Sequence, residues 1–112
     1  MVRVASWQAA LEALAAGRAD LLSSTVIDPA RAEAMHFTQP YIQLQAGALV
    51  RRGSPPVRPE DLAQLTVALV AGDNIESRLT GRIDPARTQR CALLRECLDA
   101  LVAGRAQVVL AE

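Results

Sequence analysis

The chain has 112 residues, the length of one small domain or of a part of a larger one. Hydrophobic residues account for 51% of the sequence and charged residues for 21%, so the composition excludes an intrinsically disordered chain. Twelve arginines, with no lysine, balance twelve acidic residues, which argues against a nucleic-acid-binding protein. No apolar run approaches the roughly 18 residues of a transmembrane helix, and residues 1–5 lack the pattern of a signal peptide.

The first predicted element is an amphipathic helix followed by a short strand. Ser6 is a suitable N-cap, and Gly17 stands where a helix commonly ends in a left-handed residue. The apolar stripe between them has helical spacing and consists of Trp7, Ala10, Leu11 and Leu14. Residues 19–24 form a short apolar segment, which predicts a strand covered on both faces.

A similar helix–glycine–strand unit recurs near the end of the chain. Residues 11–22 and 98–109 are identical at seven of twelve aligned positions, with an offset of 87 residues. The second helix carries its apolar stripe at Leu94, Cys97, Leu98 and Leu101. Two copies this far apart do not indicate a solenoid, whose repeats are typically about 20–50 residues long. They indicate two similar α/β lobes.

The sequence between the two copies predicts further helices and strands. Asp28 and Pro29 are typical of a helix N-terminus, and residues 72–74 form a tight turn into a helix that ends near Gly81. The other predicted segments are a strand at 41–51, a surface loop at 53–59, a helical turn at 60–64, a buried strand at 66–70 and a turn or brief helix at 84–87. This alternation predicts an α/β fold with largely parallel pairing.

Two sequence blocks carry a resemblance to a known family. Residues 28–41 read DPARAEAMHFTQPY and match the pattern (S/T)xxRxxxxxFTxPY except at its first position, and the repeated Gly-Arg-Ala segment is the second block. With these blocks the chain resembles the extracytoplasmic solute-binding proteins of family 3, which serve amino-acid importers and recur in virulence-sensor kinases. The resemblance implies an α/β fold of the periplasmic-binding-protein-like type II, an incomplete two-lobed Venus flytrap of which this chain is the central part.

The resemblance also implies an organisation and a function. Residues 1–42 would belong to lobe 1, residues 43–46 to the crossover or hinge, and residues 47–112 to lobe 2. Such a protein binds a small amino-acid-like or organic-anion solute between its lobes, for import or signalling, without catalysis and without a cofactor or metal. Its partners would be this small-molecule ligand and the permease of an ABC importer or a sensor kinase, and its compartment would be periplasmic or extracytoplasmic.

On lobe 1 the resemblance implies two ligand-binding residues, Arg31 and Ser24. Arg31 occupies the family's position for the arginine that holds the α-carboxylate of the ligand. A planar guanidinium suits this role because it can donate two parallel hydrogen bonds to a carboxylate. Ser24 stands where the family has a hydroxyl that faces the cleft. The alternatives are a solvated Arg31 in a short surface helix and a Ser24 that merely ends a strand.

On lobe 2 the implied ligand-binding residues are Asp73, Asn74 and Glu112. Asp73 and Asn74 lie in the turn where the family's amides and a hydroxyl meet the ligand carboxylate at a helix N-terminus. Glu112 falls at the family's acidic partner of the ligand's α-ammonium. The alternative roles are helix capping by Asn74 and a frayed chain end at Glu112.

The chain departs from the family pattern at two positions beside this site. Val26 replaces a second hydroxyl, and Asp28 replaces the threonine that normally opens the block, so donors are lost and a negative charge is added. These departures make a standard polar amino acid a less suitable ligand. Two other functions stay open: a binding-incompetent structural or sensor fragment that forms a homodimer, and a dehydratase-like enzyme of the same fold.

The two cysteines are too few for a disulfide scaffold. Cys97 lies on an apolar helix face and is expected to pack as a small hydrophobic residue. A disulfide between Cys91 and Cys97 is the alternative in an oxidising compartment.

Overall fold

Four α-helices, two 3₁₀ helices and four strands make up the fold, which a computed structural model describes for all residues from 1 to 112. The α-helices are α1 (Trp7–Ala15), α2 (Pro29–Ala34), α3 (Asn74–Arg78) and α4 (Leu94–Val102). The strands are β1 (Gly47–Leu49), β2 (Val67–Val70), β3 (Thr88–Cys91) and β4 (Val108–Ala111). The 3₁₀ helices, Pro59–Gln64 and Pro85–Arg87, precede β2 and β3.

All four strands form one sheet in the order β1-β4-β2-β3. The central strand β2 pairs in parallel with both β3 and β4, whereas β1 pairs with β4 in the antiparallel direction. In this register Val67 lies opposite Thr88 on one side and Val108 on the other. The largely parallel pairing predicted from the alternation of elements is confirmed.

The inner strands are buried on both faces because consecutive side chains point to opposite sides of a sheet. One face packs against the first 3₁₀ helix and α3, and its buried residues are Leu62, Val67, Leu69, Ile75, Ile83, Val108 and Leu110. The other face packs against α4 and contains Ala68, Cys91, Cys97, Ala100, Leu101, Ala106 and Val109. Ala13 is the one buried residue before Leu62, so the core lies almost wholly in the second half of the chain.

The helix boundaries in the first half follow from local capping. Ser6 accepts a hydrogen bond from the amide of Ala9 at 3.1 Å, and Asp28 accepts one from the amide of Arg31 at 3.0 Å. Gly17 follows α1 with a φ of 68°, the left-handed conformation that ends many helices. The predicted starts of α1 and α2 are confirmed.

Two predicted strands are wrong in whole or in part. Residues 19–24 are irregular, and Leu21 is 73% exposed although a strand covered on both faces was expected. The strand predicted at 41–51 is reduced to β1, and residues 41–46 are irregular and exposed. A strand needs a neighbour that completes its backbone hydrogen bonds, and no strand of this chain lies beside either segment.

In the second half of the chain, the predictions also missed one strand and the exact buried face of one helix. β3, with the sequence TQRC, carries no apolar alternation and was not predicted. On α4 the buried residues are Cys97, Ala100 and Leu101, whereas Leu94 and Leu98 are 39% and 37% exposed. Ala100 is fully buried together with Cys97 and Leu101, so the buried face of α4 is rotated from the predicted stripe.

Two further structural facts bear on the sequence predictions. None of the helices has the length and apolar character that crossing a membrane requires. Cys91 and Cys97 are buried free thiols, so the alternative of a disulfide is not realised in this structure.

Candidate ligand-binding cleft

Arg31 is held in the first turn of α2 by contacts on several sides. Its side chain is only 12% exposed, and Nε forms an ion pair with Asp28 at 3.2 Å. Nη1 donates to the hydroxyl of Thr25 at 3.2 Å and to the carbonyl of Val26 at 3.5 Å. Arg31 is therefore a fixed, mostly buried side chain and not a solvated one.

The carbonyl of Gly72 connects helices α1 and α2 with the turn between β2 and α3. It accepts hydrogen bonds from Nη2 of Arg31 at 3.1 Å and from the indole nitrogen of Trp7 at 3.2 Å. The guanidinium of Arg31 also lies 5.4 Å from the centre of the indole ring, within the range of a cation–π interaction. Gly72 has a φ of 74°, which glycine adopts without strain.

The backbone amides of Gly72, Asp73 and Asn74, at the start of α3, donate hydrogen bonds to acceptors within the chain. Asp73 caps the helix and accepts a hydrogen bond from the backbone amide of Asn74 at 2.6 Å, so the alternative role of Asn74 as the cap falls to its neighbour. The amide of Gly72 donates to the carboxylate of Glu76 at 3.1 Å, and the amide of Asp73 donates to the carbonyl of Val70 at 3.2 Å. The predicted turn is present, and its three amides already have acceptors.

Asn74 and Glu112 form a hydrogen-bonded pair beside this turn. Asn74 is the one buried polar residue, with 2% exposure. Its side-chain nitrogen Nδ2 donates a hydrogen bond to Oε1 of Glu112 at 3.1 Å. Glu112 follows β4 directly, so the strand and the buried asparagine together fix its position. The alternative of a frayed end does not describe it.

A cleft of about 230 Å³ brings most of the predicted site residues together. Ser24 and Arg31 line it from the first half of the chain, and Asp73 and Glu112 line it from the second half. Asn74, the fifth predicted residue, does not line the cleft, but it donates a hydrogen bond to Glu112, which does. Apolar walls are supplied by Val26, Leu44, Val70, Leu94 and Ala111.

A wider groove of about 890 Å³ is lined by α1, the end of α2 at Ala34 and the irregular segments 20–27 and 35–44. Ser24 and Glu112 line this groove too, but Arg31 and Asp73 do not. The smaller cleft is the better candidate site because Arg31, Asp73 and Glu112, which come from distant parts of the sequence, line it together.

Two cleft residues were not identified from the sequence. Trp7 was assigned to the core face of α1, yet it lies half-buried at the cleft and contacts Arg31. Thr25 supplies the hydroxyl that accepts from Arg31, next to the predicted Ser24. Helical periodicity cannot separate a residue at the end of a core stripe from one that lines a cleft, because both occupy the same helix face.

The comparisons with known proteins identify the family. The sequence profile of the bacterial extracellular solute-binding proteins, family 3, matches residues 1–110. The chain belongs to this family. The amino-acid-binding protein AabA of Dichelobacter nodosus is 29% identical over 117 residues, covering 97% of this chain and 44% of that protein.

Two solved structures show the same fold. An ancestral arginine-binding protein bound to glutamine matches with a TM-score of 0.89 at 20% identity, covering 97% of this chain and 49% of that one. The ancestral amino acid-binding protein AncCDT-1, a precursor of cyclohexadienyl dehydratase, matches with a TM-score of 0.83 at 23% identity, covering 98% and 51%. The family 3 chain thus spans about half the length of these relatives.

These matches confirm the predicted family and fold class. The architecture is the α/β fold of type II periplasmic amino-acid-binding proteins, represented here by part of the domain. The family consists of extracellular or periplasmic solute-binding proteins, most of which bind and do not catalyse. Solute binding is therefore the general function of the family to which this chain belongs.

Proposed function

We propose that this family 3 chain binds a small amino-acid-like solute in the 230 Å³ cleft. In this proposal residues 1–42 belong to lobe 1, residues 43–46 to the hinge, and residues 47–112 to lobe 2. The observation that carries it is the convergence of Ser24, Arg31, Asp73 and Glu112 on one cleft from distant parts of the sequence. The volume is below the roughly 300–1,000 Å³ of sites for drug-sized ligands, which fits a small solute.

Binding works by closure of the two walls of the cleft, without a chemical step. Trp7 and Arg31 reach from α1 and α2 to the carbonyl of Gly72 and so join the two walls. A solute that contacts both walls adds to these two hydrogen bonds and shifts the equilibrium toward the closed arrangement. Asn74 contributes by holding the carboxylate of Glu112 at the cleft.

Binding fits this site better than the dehydratase-like alternative. The carboxylates that line the cleft are those of Asp73 and Glu112, and each already accepts a hydrogen bond with a structural role. The likeness to AncCDT-1 is one of fold at 23% identity. Measurement of prephenate or arogenate turnover separates the two functions, and we expect none.

The biological output of binding is delivery of the solute to the permease of an importer or a signal to a sensor kinase. Both outputs place the chain outside the cytoplasm, in agreement with the location of the family. The competing reading, a binding-incompetent fragment that forms a homodimer, predicts a dimer in size-exclusion chromatography with light scattering. It also predicts no response to any solute.

The fluorescence of Trp7 provides the test, because Trp7 is the single tryptophan and lines the cleft. We expect titration with arginine, lysine, glutamine and glutamate to change its emission for at least one solute. Arg31→Gln should weaken that response by about tenfold or more, because it removes the charge-assisted hydrogen bond to the Gly72 carbonyl that joins the two walls, and such a bond is worth about 1.5–3 kcal/mol. Arg105→Gln is the matched control, since Arg105 is exposed and its side chain has no ion-pair partner.

Two results would contradict the proposal. One is the absence of any emission change, confirmed by calorimetry, with folded protein in circular dichroism. The other is equal loss of affinity in the Arg31→Gln and Arg105→Gln variants.

A further inference from the structure

In the cleft two carboxylates each keep a free oxygen, whereas most of the N–H groups already donate to acceptors within the chain. This difference between donors and acceptors bears on the chemical class of the solute. The inference drawn from it rests on the proposed function, because it concerns the same cleft. A carboxylate ligand needs free N–H groups, whereas an ammonium or guanidinium needs free carboxylate oxygens.

The guanidinium of Arg31 is largely occupied by the protein. Nε pairs with Asp28, Nη1 donates to Thr25 and Val26, and Nη2 donates to Gly72. Bidentate binding of a carboxylate uses two adjacent N–H groups of the fork. Every such pair in Arg31 includes at least one N–H group that already has an acceptor within the chain, and Asp28 neutralises the charge.

The turn at the start of α3 is occupied as well. The amides of Gly72, Asp73 and Asn74 donate to Glu76, Val70 and Asp73 respectively. The carboxylate of Asp73 itself takes the position in which an anion would meet the start of the helix. A ligand carboxylate would have to displace this side chain and would be repelled by its charge.

Apart from the hydroxyls of Ser24 and Thr25, the free polar side-chain groups that line the cleft are carboxylate oxygens. Oδ1 of Asp73 and Oε1 of Glu112 each accept one hydrogen bond, and the second oxygen of each side chain has no hydrogen-bond partner in the chain. Neither residue forms an ion pair. With Arg31 compensated by Asp28, the lining of the cleft carries a net negative charge.

We infer that the cleft selects a small organic cation, an aliphatic amine or guanidine, and that recognition does not require an α-carboxylate. The cationic group lies between Asp73 and Glu112, and the methylene chain packs on the apolar walls formed by Val70, Leu44 and Leu94. Arg31 acts as a positioning residue that holds Trp7 and the Gly72 carbonyl at the edge of the cleft.

Pairs of probes that differ only in the carboxylate test this inference. Cadaverine is lysine without its carboxylate, and agmatine is arginine without it. We expect each amine to bind within about threefold of its amino acid, since a threefold ratio corresponds to much less than one charge-assisted hydrogen bond. Succinate and glutarate should not bind. Calorimetry and the emission of Trp7 both report the result.

Charge-removing variants of similar shape locate the cation. Asp73→Asn keeps the oxygen that caps α3, and Glu112→Gln keeps the oxygen that accepts from Asn74. We expect each to weaken cadaverine binding by about tenfold or more. Asp99→Asn is the control, because Asp99 is an exposed residue of α4 outside the cleft and has no ion-pair partner.

The outcomes separate this inference from the proposed function. If lysine, arginine or a dicarboxylate binds and the amines do not, the inference is overturned while solute binding stands. If no probe binds to the folded protein, the proposed function and the inference both fail. If Asp73→Asn and Glu112→Gln bind cadaverine as the control does, the position assigned to the cation is wrong.

Discussion

A single carbonyl oxygen, that of Gly72, connects the two halves of the chain at the cleft. Trp7 and Arg31 both donate to it, and neither donor lies within 40 residues of it in the sequence. Gly72 has a φ of 74°, in the left-handed region that glycine adopts without strain. A Cβ at this position would lie 3.3 Å from the side-chain oxygen of Gln8, so a substitution would also require a small shift of that side chain.

Cys97 is a buried thiol whose titration affects stability at alkaline pH. Burial, together with the neighbouring Cys91, raises the pKa of the Cys97 thiol from its ordinary value of 9.0 to about 12. Above pH 9.0 the unfolded chain releases this proton while the folded chain retains it. The free energy of unfolding therefore falls as the pH increases through this range, by up to about 1.4 kcal/mol per pH unit.

The Cys97→Ala variant isolates this contribution. We expect its stability to depend less on pH than that of the wild type between about pH 8 and pH 10.5. Urea unfolding at several pH values measures the difference. Parallel curves for the two proteins would show that Cys97 does not ionise differently in the folded and unfolded states.

At the scale of elements, Arg51 joins the segment after β1 to the end of α4. Its Nη1 donates to the carbonyl of Leu101 at 2.7 Å and to that of Ala106 at 3.3 Å. Both carbonyls lie near the C-terminal end of the helix, where a positive charge is favourable. We expect Arg51→Ala to lower the free energy of unfolding by about 1–2 kcal/mol.

Arg52 is the matched control for this prediction. It follows Arg51 directly, is exposed and forms no ion pair. Arg52→Ala should change stability by less than about 0.5 kcal/mol. Equal effects of the two substitutions in urea unfolding would mean that the contacts of Arg51 do not stabilise the helix end.

The sequence predicted the elements that local signals determine and misjudged those that depend on distant partners. Ser6 and Asp28 cap their helices as expected, and the continuous apolar run of β2 is a buried strand. Residues 19–24 have strand-like composition, but no strand of the chain pairs with them. β3 has polar composition and forms because the edge of β2 offers it a complete ladder. Pairing of this kind has no local sequence signal.

In the candidate site, too, local patterns revealed individual residues but not the contacts between distant ones. Arg31 was found because its block has a distinctive spacing, and Asp73 because glycine and aspartate mark a turn. The contacts of Arg31 with Trp7 and Gly72 join residues 24 and 41 positions away, so spacing could not reveal them. Solute binding by Ser24, Arg31, Asp73, Asn74 and Glu112 stays a prediction, and the Arg31→Gln, Asp73→Asn and Glu112→Gln variants test it at three of these positions.

For the whole molecule, the uneven distribution of the core predicts uneven dynamics. No backbone amide of residues 20–28 or 36–46 donates a hydrogen bond within the chain. The strands β2 and β4, in contrast, have fully buried residues, among them Val67 and Val108 at 0% exposure. Regions with few buried contacts and free amides open at low free-energy cost, whereas core strands open only on global unfolding.

Hydrogen–deuterium exchange measured by mass spectrometry tests this distribution. We expect peptides from 20–28 and 36–46 to exchange within seconds and peptides from 67–70 and 108–111 to exchange slowest, because exchange follows the free energy of local opening. A solute that binds in the cleft should slow exchange in 24–31 and 72–78, whose residues include Arg31, Gly72 and Asp73, and leave 53–58 unchanged. The loop 53–58 is a suitable control because none of its residues lines the cleft. Protection confined to 36–44 would instead place the solute in the wider groove beside α1, and uniform exchange along the chain would contradict the core described here.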